Sequence, residues 1–152
     1  MKKRLLVFSI DAMVSEDIDY LRTRKNFSKY LAGGSEVRKI RTVYPSVTYP
    51  AHVSMTTGCY PDRTGVFSNF RFTTDSKEDT WQWFAESNKA RDIFTAAKEA
   101  GYSTGSVAWP VTGRHPSIDF LIDEYWMPLK GDTLAGSFER AGSSPEIISM
   151  IE

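Results

Sequence analysis

Cysteine is nearly absent from this chain: Cys59 stands alone among 152 residues, so no internal disulfide can form, and the usage fits a reducing compartment. Histidine is limited to His52 and His115. No charge of either sign prevails, since 19 basic residues balance 19 acidic ones, and a polymeric nucleic acid would call for a basic excess. Long hydrophobic runs are missing too. The apolar stretch after Lys2-Lys3-Arg4 is shorter than the roughly seven to fifteen residues of a secretion signal, and Asp11 interrupts it. There is no transmembrane span, internal repeat or low-complexity tract. These absences lead us to expect a cytoplasmic chain with neither a membrane nor a nucleic-acid polymer as partner. With 41% hydrophobic residues, the chain has the material of one ordinary domain with a real core.

The order of local signals is that of a layered α/β domain. Leu5 to Asp11 reads as a nearly unbroken apolar strand that ends abruptly in a carboxylate, as a buried parallel strand would. Ser15 opens an acidic helix, and Asn26 to Gly34 is a short amphipathic helix closed by glycines. Glu36 to Val43 reads as a strand. Asp75 to Trp83 is an excursion whose Trp81 and Trp83 cover the core or the rim of a site. Arg91 to Ala100 has helical spacing and stops at Gly101. It leads into a strand over Ser103 to Trp109, with a further short strand at Ile118 to Ile122. Ser144-Pro145 starts a last helix. The repeated helix-then-strand order favours a mainly parallel sheet with helices on both faces.

Chemistry concentrates in Tyr44-Pro-Ser-Val-Thr48-Tyr-Pro-Ala-His-Val-Ser-Met-Thr-Thr-Gly58-Cys-Tyr-Pro-Asp-Arg-Thr-Gly65. Pro50 suits the first turn of a helix, and Gly58 stops that helix. Thr48 then sits at its N-terminal entry. Backbone N–H groups and the positive end of the dipole converge there and favour a phosphate or sulfate ester; a plain capping role for Thr48 is the competing reading. Asp11, at the carboxyl end of its strand, is placed where open α/β sheets bind ligands, or else it caps a turn.

These segments resemble the type I phosphodiesterase and nucleotide pyrophosphatase family of the alkaline phosphatase superfamily. The shared pattern is an apolar strand ending in Asp, here Leu5 to Asp11, then Thr48-Tyr49-Pro50-Ala51-His52, Thr57-Gly58, Tyr60-Pro61, Gly65 and Asn69. The stretch from Asp92 to Trp109-Pro110 is similar to the family's next helix, strand and Trp-Pro turn. The resemblance implies an alkaline-phosphatase-like α/β fold and a hydrolase acting on small phosphodiesters or nucleotides through a covalent threonine intermediate. It implies that Thr48 is the nucleophile and that Asp11 and Thr48 share one of two divalent metal ions, by family habit zinc. Asn69 would donate its amide to a phosphate oxygen. Tyr49 occupies the position that stacks on a base in nucleotide-cleaving relatives, although a buried aromatic beside a proline also packs well. By the same resemblance His52 is a structural helix residue and no metal ligand.

The chain departs from the family in its ligands. In relatives most of the Asp and His ligands come from segments beyond the counterpart of Glu152, so residues 1–152 are expected to be the N-terminal part of a longer catalytic domain, and inactive alone. His115, in Gly113-Arg114-His115-Pro116, is expected to be a solvated loop histidine. Cys59-Tyr60-Pro61-Asp62-Arg63 fits the sulfatase pattern Cys-x-Pro-x-Arg, but it closes the helix instead of opening it. Phosphonoacetate hydrolase-like or phosphomonoesterase chemistry, which shares the threonine and the metal pair, stays closer. The alternative of another class is an inactive fragment or phosphate-binding module.

Overall fold

The computed structural model describes residues 3–37, 39–74, 80–126 and 129–151. The chain divides into two compact units, Met1–Arg41 and Thr42–Glu152.

The first unit is a helical pair. Helix α1, Ser15–Arg22, opens with Asp17, whose carboxylate accepts from the Val14 N–H at 2.9 Å, an acidic first turn that suits the positive end of a helix. Helix α2, Lys25–Gly33, comes almost at once and ends at Gly34. Arg22 pairs with Glu36, and the Arg24 guanidinium lies 4.1 Å from the centre of the Tyr20 ring. The expected strand over Leu5 to Asp11 does not form. Leu5, Leu6, Val7, Phe8 and Ile10 are all exposed, Phe8 to 83%. A strand needs a neighbouring strand for its N–H and C=O groups, and among the described residues this segment forms no ladder. Ala12 takes a left-handed conformation and turns the chain directly after Asp11. The expected strand over Glu36 to Val43 is corrected in the same way: its described residues carry no ladder, for the same physical reason.

The second unit holds helix α3 (Thr48–Thr57), the single turn α4 (Pro61–Thr64), strands β1 (Phe70–Arg71) and β2 (Thr80–Trp81), helix α5 (Ile93–Glu99), strands β3 (Gly105–Val107) and β4 (Phe120–Ile122), and helices α6 (Leu134–Ala141) and α7 (Pro145–Ile148). Strands β1 and β2 pair antiparallel, while β3 and β4 pair parallel with Ser106 opposite Leu121. The α/β character and the parallel pairing were expected, and so were the helix ahead of β3 and both of those strands. Residues 75–79, the polar start of the expected aromatic excursion, lie outside the described residues.

The core packs one face of α3 against the segment after β2. Tyr49, Val53, Val66, Trp83 and Val111 are buried together, with Trp81, Phe84 and Tyr125 against them. The aromatic contacts are tilted or edge-on, the arrangement favoured by ring quadrupoles, except for the stacked pair Trp81–Trp83 at 5.2 Å. Fully burying side chains of this size contributes about 1.5–3 kcal/mol each before entropy is counted.

Candidate active site

Thr48 is the first residue of α3, and Val47 occupies the N-cap with extended backbone and no side chain able to accept a hydrogen bond. Helix entry therefore lacks the usual polar cap. The deficit is met from a distance: the Asn69 Oδ1 accepts from the Tyr49 N–H at 2.9 Å. At the far end Gly58 adopts φ +67 and its N–H donates to the Ser54 carbonyl, a conformation that favours glycine.

The segment leading on from Gly58 fixes Asn69. Pro61 starts α4, and Gly65, at φ +78, ends it. The Lys89 N–H donates to the Thr64 carbonyl, and Val66 is fully buried. Gln82 then straps the segment: its backbone N–H donates to the Asn69 carbonyl at 2.9 Å, and its side-chain amide donates to the Ser68 and Phe70 carbonyls. With Oδ1 committed to the helix, the amide group of Asn69 is turned so that Nδ2 is its remaining donor.

Thr48, Tyr49 and Asn69 are thus brought together within the second unit, and Asp11 lies in the first. Thr48 is half-buried. Tyr49 is fully buried, with its ring 5.4 Å from Trp81 and 6.3 Å from Trp83. Burial pushes the Tyr49 hydroxyl far above the ordinary tyrosine range, and the nearby Glu124 and Asp123 push the same way. His52 is buried, and its Nδ1 donates to the Thr48 carbonyl at 2.8 Å. Its ring meets Trp109 edge-on at 5.1 Å.

His115 is not the solvated loop residue expected from its sequence. Its side chain is 7% exposed, and Nε2 stands 2.8 Å from the Asp92 Oδ2. The Ser117 N–H donates to Nδ1 at 3.0 Å, so Nε2 carries the proton and donates it to Asp92. Asp92 also accepts the Thr95 N–H at 2.8 Å as the N-cap of α5. Burial is the largest influence on its carboxyl and acts upward, yet the bonds from His115 and Thr95 outweigh it and hold the group below the usual carboxylate range.

Asp123 was not singled out by the sequence, although it comes straight after the apolar β4 just as Asp11 comes after its own apolar run. It is fully buried, and neither carboxylate oxygen has a hydrogen-bond partner among the described residues. Burial pushes its carboxyl up to about 7; the nearby Glu124 backbone N–H and, more weakly, Arg114 oppose the shift, while the Glu124 carboxylate adds to it. Among the described residues no group of three or more His, Cys, Asp or Glu could hold a metal ion. Asp11 and Thr48 offer two oxygens where a closed zinc site takes four ligands, so the residues present do not by themselves fit a metal pair. No described helix is long and apolar enough to cross a membrane.

Known proteins resemble this chain in both sequence and fold. A family model described as type I phosphodiesterase / nucleotide pyrophosphatase matches residues 5–150. Human ectonucleotide pyrophosphatase/phosphodiesterase family member 1 is 32% identical over 131 residues, which make up 74% of this chain and 13% of that protein. The bis(5′-adenosyl)-triphosphatase of Xenopus laevis is 28% identical over 116 residues, 70% of this chain and 24% of that protein. Among solved structures, murine ectonucleotide pyrophosphatase / phosphodiesterase 5, as an inactive threonine-to-alanine variant in complex with AMP, superposes with a TM-score of 0.58 at 21% identity, covering 72% of this chain and 31% of that one. The chain spans about an eighth to a quarter of the length of these curated relatives.

Proposed function

Because the chain belongs to the type I phosphodiesterase / nucleotide pyrophosphatase family and has the alkaline-phosphatase-like α/β fold of its solved neighbours, we propose that it is the N-terminal part of a phosphodiester or pyrophosphate hydrolase in which Thr48 is the nucleophile. The observation that carries the reading is the pairing of Thr48, at the first position of α3, with an Asn69 whose Oδ1 is held on the next residue's N–H at 2.9 Å. The nucleophile's helix and the phosphate donor are thereby fixed to each other. Two further facts support it: the murine neighbour is inactive as a threonine-to-alanine variant, and it was solved with AMP.

In the first step Thr48 Oγ bonds to phosphorus, the bond to the leaving oxygen breaks, and the proton of the threonine hydroxyl departs with the leaving alcohol or phosphate. Water then displaces Thr48 from phosphorus and restores its hydroxyl. Asn69 Nδ2 donates to a non-bridging oxygen, whose charge rises in both transition states. Tyr49 enters through its backbone N–H, and any stacking of its ring on a base would require the ring to leave the core. Two zinc ions are part of the proposal, with Asp11 and Thr48 contributing to one of them and the remaining ligands supplied from outside these residues; such ions lower the pKa of a coordinated hydroxyl. A nucleotide or related small phosphodiester is the proposed substrate, and the cytoplasm is the proposed location.

The test is zinc-dependent hydrolysis of p-nitrophenyl thymidine monophosphate by the product of the full reading frame, beside its Thr48→Ala variant and the 152-residue chain. Loss of about three orders of magnitude or more in Thr48→Ala is expected of a nucleophile, together with disappearance of a thymidylylated Thr48 peptide after acid quench. Full activity in Thr48→Ala would sink the assignment.

A further inference from the structure

We infer that His52 is a positioning residue for Thr48, held on the Thr48 carbonyl by Trp109; this rests on the reading of Thr48 as nucleophile. The first turn of α3 is thinly bonded. Val47 offers no side-chain cap, Pro50 has no N–H, and the bond from the Ala51 N–H to the Val47 carbonyl is 3.2 Å long. His52 adds a side-chain bond to this turn from within the same helix, on the carbonyl side. A carbonyl oxygen accepts only, so the 2.8 Å contact fixes the proton on Nδ1. The side chain then braces the peptide unit that carries the reactive threonine.

A histidine can leave such a contact by rotating about its side-chain bonds, and Trp109 stands against that rotation. Its ring meets the imidazole at 79° with centres 5.1 Å apart. The loop presenting it is strained: Ala108, Val111 and Arg114 all take positive φ, at 51, 59 and 56. For a branched residue such as Val111 that conformation is a genuine outlier, and strain of this kind persists where its surroundings over-determine it. The surroundings do so here. The Ala108 N–H donates to the Ile122 carbonyl at 2.9 Å, tying the loop's start to β4. Thr112 Oγ1 donates to the Trp109 carbonyl at 2.7 Å and lies 3.2 Å from Ser106 Oγ on β3. The parallel strand pair thus holds Trp109, Trp109 holds His52, and His52 holds the backbone of Thr48. None of these groups touches the reacting phosphorus in this scheme.

Two substitutions separate positioning from mere support. His52→Asn places an amide N–H near the position of Nδ1, and His52→Phe keeps a ring for Trp109 but removes the donor. In the zinc-loaded product of the full reading frame, His52→Phe should lower kcat about tenfold to a hundredfold with KM within about twofold, since small misplacement of a reacting group has that cost. His52→Asn should keep kcat within about threefold of the parent, a rescue that support by the ring alone would not give. Equal losses in both variants, or a loss confined to KM, would overturn the inference. The ¹⁵N spectrum of His52 in the 152-residue chain reads the contact without any activity. A single Nδ1–H tautomer that becomes mixed in Trp109→Leu supports the inference, and in Trp109→Phe as well should the leucine variant not fold. An Nε2–H tautomer in the parent, or a spectrum untouched by both Trp109 variants, overturns it. An Nδ1–H tautomer in the 152-residue chain beside a zinc-loaded full-frame product that hydrolyses nothing counts against the phosphodiesterase reading and leaves the His52–Thr48 contact standing.

Discussion

Asn69 Oδ1 accepts the Tyr49 N–H at 2.9 Å across twenty positions of sequence, and so caps a helix whose own N-cap, Val47, cannot. One side chain therefore has two separable duties, its oxygen towards the helix and its nitrogen towards a phosphate. Asn69→Asp keeps the oxygen, adds a negative charge at the positive end of α3, and removes the donor. It should melt no lower than the parent while hydrolysis collapses. Asn69→Ala loses both and should cost about 1 kcal/mol of stability as well. Thermal unfolding by circular dichroism beside hydrolysis assays checks the pair. An active Asn69→Asp would remove Asn69 from the phosphate.

The buried Asp123 makes stability depend on pH on the acid side of neutrality. Its folded carboxyl titrates near 7, above the ordinary 3.8, so between those values the folded chain binds a proton that the unfolded chain does not. The stabilisation is complete below about pH 4, and stability should fall by as much as a few kcal/mol as pH rises towards 7. Urea unfolding at a series of pH values reads the slope. Asp123→Asn, neutral throughout, should flatten it, and an unchanged slope would locate the titrating group elsewhere.

Local signals were legible and non-local ones were not. Helix α3 could be placed from Pro50 and Gly58, and α5 from the spacing of Ile93, Phe94 and Ala97, because both patterns are complete within one segment. The apolar run from Leu5 to Ile10 read as a strand, but a strand is a relation between segments, and among the described residues no ladder forms along it. His115 failed for the same reason. Its surroundings in sequence are those of a loop, and the burying partner Asp92 lies 23 positions away. In the site, the motif order singled out Thr48 and Asn69, while the bond between Asn69 and Tyr49 and the strained presentation of Trp109 exist only in three dimensions.

The Asp92–His115 pair should be costly to break from one side. Removing the imidazole in His115→Ala leaves a buried carboxylate with only its α5 cap, and a loss of about 2–4 kcal/mol is expected. Asp92→Asn keeps an oxygen for the Thr95 N–H and leaves no buried charge behind, so it should lose less, about 1 kcal/mol for the hydrogen bond to Nε2. Because the Asp92 carboxyl is held below its usual range, its contribution is present above the unfolded value near 3.8 and is lost as pH falls through the lower folded value. In Asp92→Asn that part of the acid unfolding should disappear. Equal stability losses for the two variants would mean that an uncompensated buried charge is not what makes the pair costly to break.

Gly113 is the tightest glycine against the candidate site. A Cβ there would lie 2.2 Å from Asp123 Oδ2 and 2.8 Å from both Asp123 Cγ and Phe84 Cδ1, closer than packed atoms approach. The backbone cannot retreat freely, because the Gly113 N–H donates to the Trp83 carbonyl and its own carbonyl accepts from the Ala85 N–H. Gly113→Ala should therefore cost about 1–3 kcal/mol through overpacking. If the Asp123 carboxylate is the obstacle, Gly113→Ala placed on Asp123→Ala should cost clearly less than on the parent, a coupling that a double-mutant cycle measures directly. Additive losses would instead lay the cost on Phe84 and the strand-like bridge between Phe84 and Gly113. The cycle thus tells whether Gly113 is glycine to make room for the buried acid or for the aromatic wall beside it.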